Sequence, residues 1–257
     1  MAIQAAKLDA IEHIYQPMWN LNNWSIFGYE ALLRFTEQSA GRDIESAFYL
    51  ARRENRLYEL DSMAIESAIS NFPLASLTHE LLFINIFPST LLDYRFPGFI
   101  RTIMNSYSVV PDKIVFELNE TQDESHAWEI PELKERLALL KDYGFHIALD
   151  DVGKGAATLQ KIIEFEPNYI KLDRYFSEGL SKSKEKQELI SLFISYSKHK
   201  MGLILEGIEK DTDLAQAKLI NVPVVQGYLL GKPQKITPDN LFGKFRESLN
   251  PMRYQSV

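Results

Sequence analysis

Polar or charged side chains interrupt seven otherwise apolar runs of this sequence, in each case late in the run. Asn85 in Phe-Ile-Asn-Ile-Phe and Lys171 in Tyr-Ile-Lys-Leu-Asp are examples. The interrupting residues are Glu30, Asn85, Glu117, Asp150, Asp151, Lys171, Glu206 and Gln226. An isolated carboxylate that leaves water costs several kcal/mol, and it persists inside a protein only when it is paired, protonated or bound to metal. These positions are therefore the candidates for chemistry.

The acidic members of this set outnumber the cations available to them. Lys171 and Arg34 would face the carboxylates of Glu30, Glu117, Asp150, Asp151 and Glu206. One or two divalent cations would offset the repulsion, and two metal ions bridged by a shared carboxylate suit the hydrolysis of a phosphate ester. The chain has no cysteine, which favours hard cations held by oxygen or imidazole ligands. The alternative is that each charge pairs separately with a loop residue or points outward.

Short apolar runs rich in β-branched residues alternate with longer segments of helical spacing. The runs predict eight strands, at residues 14–19, 26–35, 81–87, 113–118, 146–151, 169–173, 203–207 and 224–230. Apolar residues three and four apart predict helices at residues 44–70, 90–107, 131–143, 156–165, 182–200 and 212–220. This alternation is typical of βα units around a largely parallel sheet.

The number of strands and the length of 257 residues favour the α/β class and a closed, TIM-like (β/α)8 barrel over a doubly wound open sheet. Only residues 20–25 separate the first two strands, which is too short for a crossover helix, so these strands should pair antiparallel. The carboxyl ends of parallel barrel strands meet at one mouth, which would bring the interrupting residues together. Since no linker or repeat marks a boundary, we expect one domain over residues 1–257 with a short polar tail.

The overall charge and hydropathy exclude some classes of function. A net charge of −7 and a pI near 5.4 argue against extended nucleic acid, although a local basic pocket for a small phosphate ligand remains open. No stretch approaches the roughly 18 consecutive apolar residues of a membrane-spanning helix. Residues 1–11 lack the apolar core of a secretory signal. We therefore expect a cytoplasmic protein with no membrane partner.

The interrupting residues also belong to short motifs that follow one another in a recognisable order. Glu30-Ala31-Leu32 continues to Arg34 and is preceded by Tyr15-Gln16-Pro17. The later motifs are Asn85, Glu117-Leu118-Asn119-Glu120, Asp150-Asp151-Val152-Gly153, Lys171-Leu172-Asp173, Glu206-Gly207-Ile208-Glu209 and Gln226-Gly227-Tyr228-Leu229. Together these blocks resemble the EAL-domain family of cyclic di-GMP phosphodiesterases. The similarity covers about residues 13–240, nearly the whole chain.

The resemblance implies a barrel with one reversed strand. It also implies hydrolysis of one phosphodiester of cyclic di-GMP to linear pGpG, with two Mg²⁺ or Mn²⁺ ions. One metal ion would be bound by Glu30, Asn85, Glu117 and Asp150. Asp150 would bridge to the second ion, which Asp151 and Glu206 would bind.

The resemblance assigns further roles around these ligands. Lys171 would hold or orient the attacking water, and Gln226 would support waters on the metal ions. Arg34 and Gln16 would contact the phosphate region of the ligand. Glu206 is also the general base proposed for the family, which we rank below its metal-binding role because a bound metal acidifies water by itself. A homodimer is expected from the resemblance alone.

One loop departs from the family pattern. Residues 152–157 read Val-Gly-Lys-Gly-Ala-Ala, where the family has a Phe followed by a stretch similar to Thr-Gly-Tyr-Ser. The family uses this loop to couple metal binding and dimerisation to activity, and Glu120 matches the position that braces it. The complete catalytic set favours an active phosphodiesterase. The altered loop favours the alternative, a catalytically silent cyclic di-GMP receptor that acts through a protein partner, and a ligand-free interaction role fits the polar set poorly.

Overall fold

A computed structural model describes residues 11–36, 43–107, 110–118, 122–153 and 158–236. Within them, eight strands form a closed barrel in which each strand pairs with its neighbours in chain order. The strands are β1 (Ile11–Asn20), β2 (Ser25–Phe35), β3 (Leu81–Ile86), β4 (Ile114–Leu118), β5 (His146–Val152), β6 (Tyr169–Leu172), β7 (Gly202–Leu205) and β8 (Val224–Gln226). The predicted TIM-like barrel is confirmed.

Strand β1 runs opposite to the other seven. It pairs antiparallel with β2 from Ile11↔Phe35 to Asn20↔Ser25, and antiparallel with β8 at its far end. The remaining neighbours, from β2 to β8, pair in parallel. The short turn between β1 and β2 forces this reversal, as the sequence predicts, because the four residues between the strands are too few for the crossover that a parallel pair needs.

Helices cover the outside of the barrel. They are α1 (Ile44–Arg53), α2 (Leu57–Ser70), α3 (Pro88–Leu92), α4 (Phe96–Ser106), α5 (Glu132–Asp142), α6 (Thr158–Phe165), α7 (Arg174–Ser177), α8 (Lys184–Ser197) and α9 (Asp211–Leu219). Large apolar side chains from these helices and from the outward faces of the strands form the main core, which includes Trp19, Phe116 and Ile190. Helix amphipathicity and strand alternation supply the two faces of this layer.

Most predicted elements differ from the structure by a few residues at their ends, and three differ more. The single helix predicted at residues 44–70 is wrong, because Asn55 adopts a left-handed φ of 54° and separates α1 from α2. The helix predicted at residues 90–107 is also two helices, since Asp93 is extended and Pro97 lies in the first turn of α4, which begins at Phe96. The strand predicted at residues 224–230 ends at Gln226. A Cβ on Gly227 would lie 2.0 Å from the carbonyl oxygen of Ile208, so the next segment is a tight turn against that backbone.

The barrel interior contains an apolar layer below the mouth. Its members are Met18, Leu81, Phe83, Val115, Ala148, Ile204 and Val224, with Phe27 and Tyr169 packed against them. Strand β2 places Gly28 beside this layer. A Cβ there would meet the Leu81 carbonyl oxygen at 2.6 Å and the Phe83 ring at 3.2 Å, so the ring takes the space that a side chain would fill.

Among the described residues, none of the helices has both the length and the apolar character needed to cross a membrane. The cytoplasmic location and the single-domain organisation remain predictions.

Candidate active site

The interrupting residues lie two positions beyond the apolar layer on most strands. Side chains two residues apart point to the same side of a strand, so Val115 and Glu117 of β4 both face the interior, at successive heights. The same step leads from Tyr169 to Lys171 on β6. On the other strands it leads from Phe83 to Asn85, Ala148 to Asp150, Ile204 to Glu206, Val224 to Gln226 and Gly28 to Glu30.

Lys171 is the centre of the polar layer. Its side chain is fully buried, and its Nζ lies 2.7 Å from Glu206 Oε1 and 2.9 Å from Glu117 Oε1. The same Nζ lies 3.4 Å from Glu30 Oε2 and 3.5 Å from Asp150 Oδ1. Four strands or strand ends therefore direct carboxylates at one ammonium group. The sequence-predicted cluster is assembled, with Lys171 as its shared cation.

The electrostatics of this cluster favour additional positive charge. If all four carboxylates were ionised, the single ammonium would leave a net charge of −3, in a site largely removed from water. Burial raises the pKa of Glu117 well above its usual range, and Lys171 only partly offsets it. Burial and the charge of Asp150 raise the pKa of Glu206 to about 8. These shifts mean that without cations the cluster retains protons, which a divalent metal would displace.

The surroundings of Lys171 favour its charged form. Burial by itself would lower its pKa, but the carboxylates of Asp150, Glu117, Glu206 and Glu30 raise that pKa well above its usual range. The ammonium group therefore stays charged over the whole physiological pH range. It can hold the carboxylates or a water molecule in place, but it cannot act as a base.

A bulge in β5 positions the two adjacent aspartates. The pairing of β5 with β6 shifts by one residue between Leu149 and Val152, and Asp151 adopts a left-handed φ of 54°. In a regular strand, adjacent side chains point to opposite faces, so the bulge re-aims one of this pair. One carboxylate oxygen each from Asp150, Asp151 and Glu206 then lies within 4.8 Å of the other two.

The segment after β7 carries Glu206 to the mouth. Gly207 has a left-handed φ of 74°, and a Cβ at this position would lie 2.2 Å from Arg174 Cβ. The close packing of this segment on α7 therefore requires glycine directly after the carboxylate. The Glu206 carboxylate stays within reach of both Lys171 and the paired aspartates.

The predicted substrate-binding residues lie around this centre. Gln226 Nε2 donates a 2.7 Å hydrogen bond to Glu30 Oε2, which fixes that carboxylate. Gln16 pairs opposite Glu30 in the sheet, and its Nε2 donates to the carbonyl oxygen of Gly231 at 3.2 Å. Arg34 lies four residues after Glu30 on β2, and its Nη1 donates a hydrogen bond to the carbonyl oxygen of Leu33.

Asn85 stands beside Glu117 in the register of β3 and β4, with its side chain partly buried. The predicted metal ligands are therefore contributed by neighbouring strands. Glu120 and residues 154–157 of the altered loop lie outside the described residues. Their predicted roles are not tested by the structure.

The donor set fits divalent cations. Glu117 is fully buried, and among the described residues its Oε2 has no hydrogen-bond partner, although a buried carboxylate oxygen without one is costly. Carboxylate and amide oxygens are the ligands that Mg²⁺ and Mn²⁺ prefer. Glu30, Asn85, Glu117 and Asp150 could hold one cation, while Asp150, Asp151 and Glu206 could hold another.

A cavity of about 650 Å³ opens beside this mouth. Its lining includes Arg34 and Asn85 of the mouth, the outward-facing Ile84 of β3, and Phe48 and Arg52 of α1. Its volume is in the range of small-molecule sites in proteins. It lies outside the strand wall, between the barrel and α1, and shares Arg34 and Asn85 with the mouth.

Sequence analysis missed several polar residues of this cavity, among them Asp61 and Arg52. Asp61 interrupts the buried stripe of α2 between Leu60 and Ala64, a signal of the same kind as the strand interruptions. Burial raises its pKa to about 7, against a hydrogen bond from the backbone N–H of Phe87. Arg52 carries no such signal, because it belongs to an ordinary basic last turn of α1.

The family assignment follows from this architecture together with a family comparison. A model of the EAL domain matches residues 2–233 of the chain. The chain belongs to the EAL domain family. The predicted family and its barrel with one reversed strand are thus both confirmed.

Curated relatives of this EAL domain include cyclic di-GMP phosphodiesterases. RocR of Pseudomonas aeruginosa, a cyclic di-GMP phosphodiesterase, is 26% identical over 226 residues, which cover 86% of this chain and 57% of RocR. PdeI of Escherichia coli, a probable cyclic di-GMP phosphodiesterase, is 26% identical over 251 residues, which cover 93% of this chain and 31% of PdeI. The chain therefore spans only part of the length of these relatives.

A solved structure provides a further comparison. A standalone versatile EAL protein from Vibrio cholerae O395, in its c-di-GMP-bound form, superposes with a TM-score of 0.72 at 28% identity. The match covers 87% of this EAL domain and 92% of that chain.

Proposed function

We propose that this EAL domain is a metal-dependent phosphodiesterase that hydrolyses cyclic di-GMP to linear pGpG with two Mg²⁺ or Mn²⁺ ions. The observation that carries the proposal is the arrangement of four carboxylates around the buried Lys171 at the barrel mouth, with Asp151 beside them. The cyclic di-GMP phosphodiesterases among its relatives support the choice of substrate. Without bound cations, this acidic mouth would repel a phosphodiester.

In this proposal the chain's own residues hold and orient the reactants. Bound cations would supply positive charge to the phosphate oxygens and acidify the attacking water. Lys171 keeps the carboxylates together and orients the water, and Gln226 holds Glu30 in its ligand position. Arg34 and Gln16 contact the phosphate region.

Glu206 has two proposed tasks that its position supports. It is close enough to Asp150 and Asp151 to share a cation with them, and it faces Lys171 at 2.7 Å. We assign metal binding as its main role and proton acceptance from the attacking water as the secondary one. Both roles require the charged carboxylate of Glu206. An uncharged side chain of the same shape would not perform them.

The second candidate function is a catalytically silent cyclic di-GMP receptor that passes the signal to a protein partner. The departure from the family pattern at residues 152–157, directly after the paired aspartates, favours it. The retained carboxylates and Lys171 favour catalysis.

A product assay separates these two functions. Purified protein is incubated with cyclic di-GMP and either Mg²⁺ or Mn²⁺, and the products are resolved by chromatography. Accumulation of pGpG that stops on chelation supports the phosphodiesterase. Tight ligand binding without product supports the receptor, and neither turnover nor binding refutes both. Ca²⁺ should replace Mg²⁺ poorly because its coordination shell is larger and looser, so equal activity with Ca²⁺ would contradict the mechanism.

We also propose that this EAL domain forms a homodimer. The family resemblance suggests it, and exposed apolar side chains on α6 and α8 offer surface for it, among them Leu159, Ile163 and Leu192. Sedimentation velocity across a concentration series is the test. A single monomeric species at all concentrations would refute the dimer.

A further inference from the structure

Arg52 holds a fixed position in the wall of the cavity beside the mouth. Its Nη2 lies 2.7 Å from Glu124 Oε1, and its Nη1 lies 3.3 Å from Asp123 Oδ2. Glu124 is itself buried, and its carboxylate accepts from the backbone N–H and the hydroxyl of Ser89, at 2.8 and 3.0 Å. The Arg52 guanidinium is therefore held by the Glu124 carboxylate, whose own position is fixed by the hydrogen bonds from Ser89.

The same guanidinium lies against an aromatic wall. Its Cζ is 5.2 Å from the centroid of the Phe87 ring, which packs on Phe48 with ring centroids 5.1 Å apart. Both rings line the cavity, together with Arg52. A guanidinium carries five N–H donors, and the two ion pairs engage only part of this fork. Among the described residues, the other N–H groups of Arg52 meet no acceptor, so they can donate to a planar ligand that lies along the rings.

This combination matches the chemistry of a guanine base. Arginine donates in a bidentate manner to O6 and N7 of guanine, whereas adenine presents an amino group in place of O6 and opposes the same contact. The carboxylates of Asp43 and Asp61, which also line the cavity, are acceptors suited to the N–H groups on the opposite edge of guanine.

The location of the cavity connects this recognition to the reaction site. Arg34 and Asn85 belong both to the mouth and to the cavity lining. A phosphodiester at the mouth would thus place an attached nucleoside within reach of the cavity.

We propose that Arg52 is a base-specificity residue, which reads the O6 and N7 edge of one guanine of the dinucleotide while the phosphodiester lies at the mouth. The assignment rests on the proposed function. If Arg52 only formed a structural ion pair with Glu124, its loss would affect all dinucleotide ligands alike. If it reads the base, its loss affects the ligands that present O6 and N7.

The test compares three cyclic dinucleotides on the full chain. Cyclic di-GMP and cyclic di-IMP both present O6 and N7, whereas cyclic di-AMP does not. For the Arg52→Gln variant we expect KM for the first two to rise about tenfold with kcat little changed, and turnover of cyclic di-AMP to stay level or increase. The Arg52→Lys variant should recover only part of the loss, since lysine lacks the planar fork.

The neighbouring Arg53 provides a matched control. It is exposed, stacks on Tyr49, and does not line the cavity, so the Arg53→Gln variant makes the same change of charge without touching the base. It should keep the wild-type ratio of kcat/KM values for the three substrates. Melting temperatures of both variants are measured in parallel.

Equal losses for all three dinucleotides in Arg52→Gln, accompanied by a lower melting temperature, would overturn the specificity role and leave a structural ion pair. If wild type binds cyclic di-GMP without hydrolysing it, the same comparison is made with dissociation constants. A wild type that neither hydrolyses nor binds cyclic di-GMP would refute the proposed function, and the specificity role with it. The wild-type reaction therefore distinguishes the two failures.

Discussion

The two layers of the barrel interior are built by the same strands and have opposite chemistry. The lower layer places Phe83, Val115 and Ile204 in one buried apolar cluster, out of water. Two residues further along those strands, Asn85, Glu117 and Glu206 form part of a layer with excess negative charge. The lower layer stabilises the barrel, whereas the upper layer costs stability unless cations bind. Such a local conflict is typical of a functional site supported by a stable scaffold.

Breaking the apolar layer should have the largest effect on stability. Phe83 is fully buried and contacts Phe27 and Tyr169. We expect Phe83→Ala to lower the free energy of unfolding by about 3–5 kcal/mol, because it removes a large ring and leaves a cavity. Urea unfolding monitored by circular dichroism measures this. The exposed Leu219→Ala is the control and should change stability by less than about 0.5 kcal/mol. Equal effects would contradict the assignment of the lower layer.

Breaking the polar layer should instead affect turnover. We expect Glu206→Gln to lower kcat by about 10²–10³-fold, since it removes a charged group from the reaction site, while cyclic di-GMP binding survives. Product chromatography and isothermal titration measure the two properties. Glu188→Gln on the exposed face of α8 is the matched control. Unchanged turnover in Glu206→Gln would refute the mechanism.

Metal ions should stabilise the upper layer directly. At a concentration of one hundred times its Kd, Mg²⁺ or Mn²⁺ should add about 2.7 kcal/mol to the free energy of unfolding, which corresponds to a rise in Tm of about 5–10 °C. Asp150→Asn should lose most of this rise, whereas the exposed Asp142→Asn should keep it. Differential scanning fluorimetry in the presence and absence of EDTA measures it. A full rise in Asp150→Asn would show that the cation binds elsewhere.

His13, on the outward side of β1, should have a smaller effect, which is on the pH dependence of the free energy of unfolding. Burial, followed by the charge of Arg34, lowers the pKa of His13 to about 4, from 6.5 in an unfolded chain. Between these values the unfolded chain binds the additional proton, so stability present above pH 6.5 is lost as the pH falls towards 4. We expect His13 to contribute a loss of about 1–3 kcal/mol over this window.

Denaturant unfolding at several pH values isolates this contribution as the difference between wild type and His13→Asn. The variant should have a flatter dependence of stability on pH. His126→Asn, at an exposed position, should retain the wild-type dependence. Parallel curves for wild type and His13→Asn would rule out His13 as the titrating group.

The comparison also explains which features could be predicted. Strand positions and their interrupting residues were predictable, because the period of two and the apolar runs are local properties of the chain. The breaks at Asn55 and Asp93 were missed, since helical spacing continues across both positions and backbone angles depend on packing. The bulge that re-aims Asp150 and Asp151 was missed for the same reason, because a bulge is defined by its partner strand.

The sequence by itself determined the barrel class, the family and the residues with chemical potential, because residue type, spacing and motif order are all local. Only the tertiary structure decided that Lys171 faces four carboxylates at distances of 2.7 to 3.5 Å. It also decided that Arg52 meets Glu124, 72 residues further along the chain, in the wall of a cavity. Such contacts depend on barrel closure and on the seating of each helix, which arise from the packing of the whole chain.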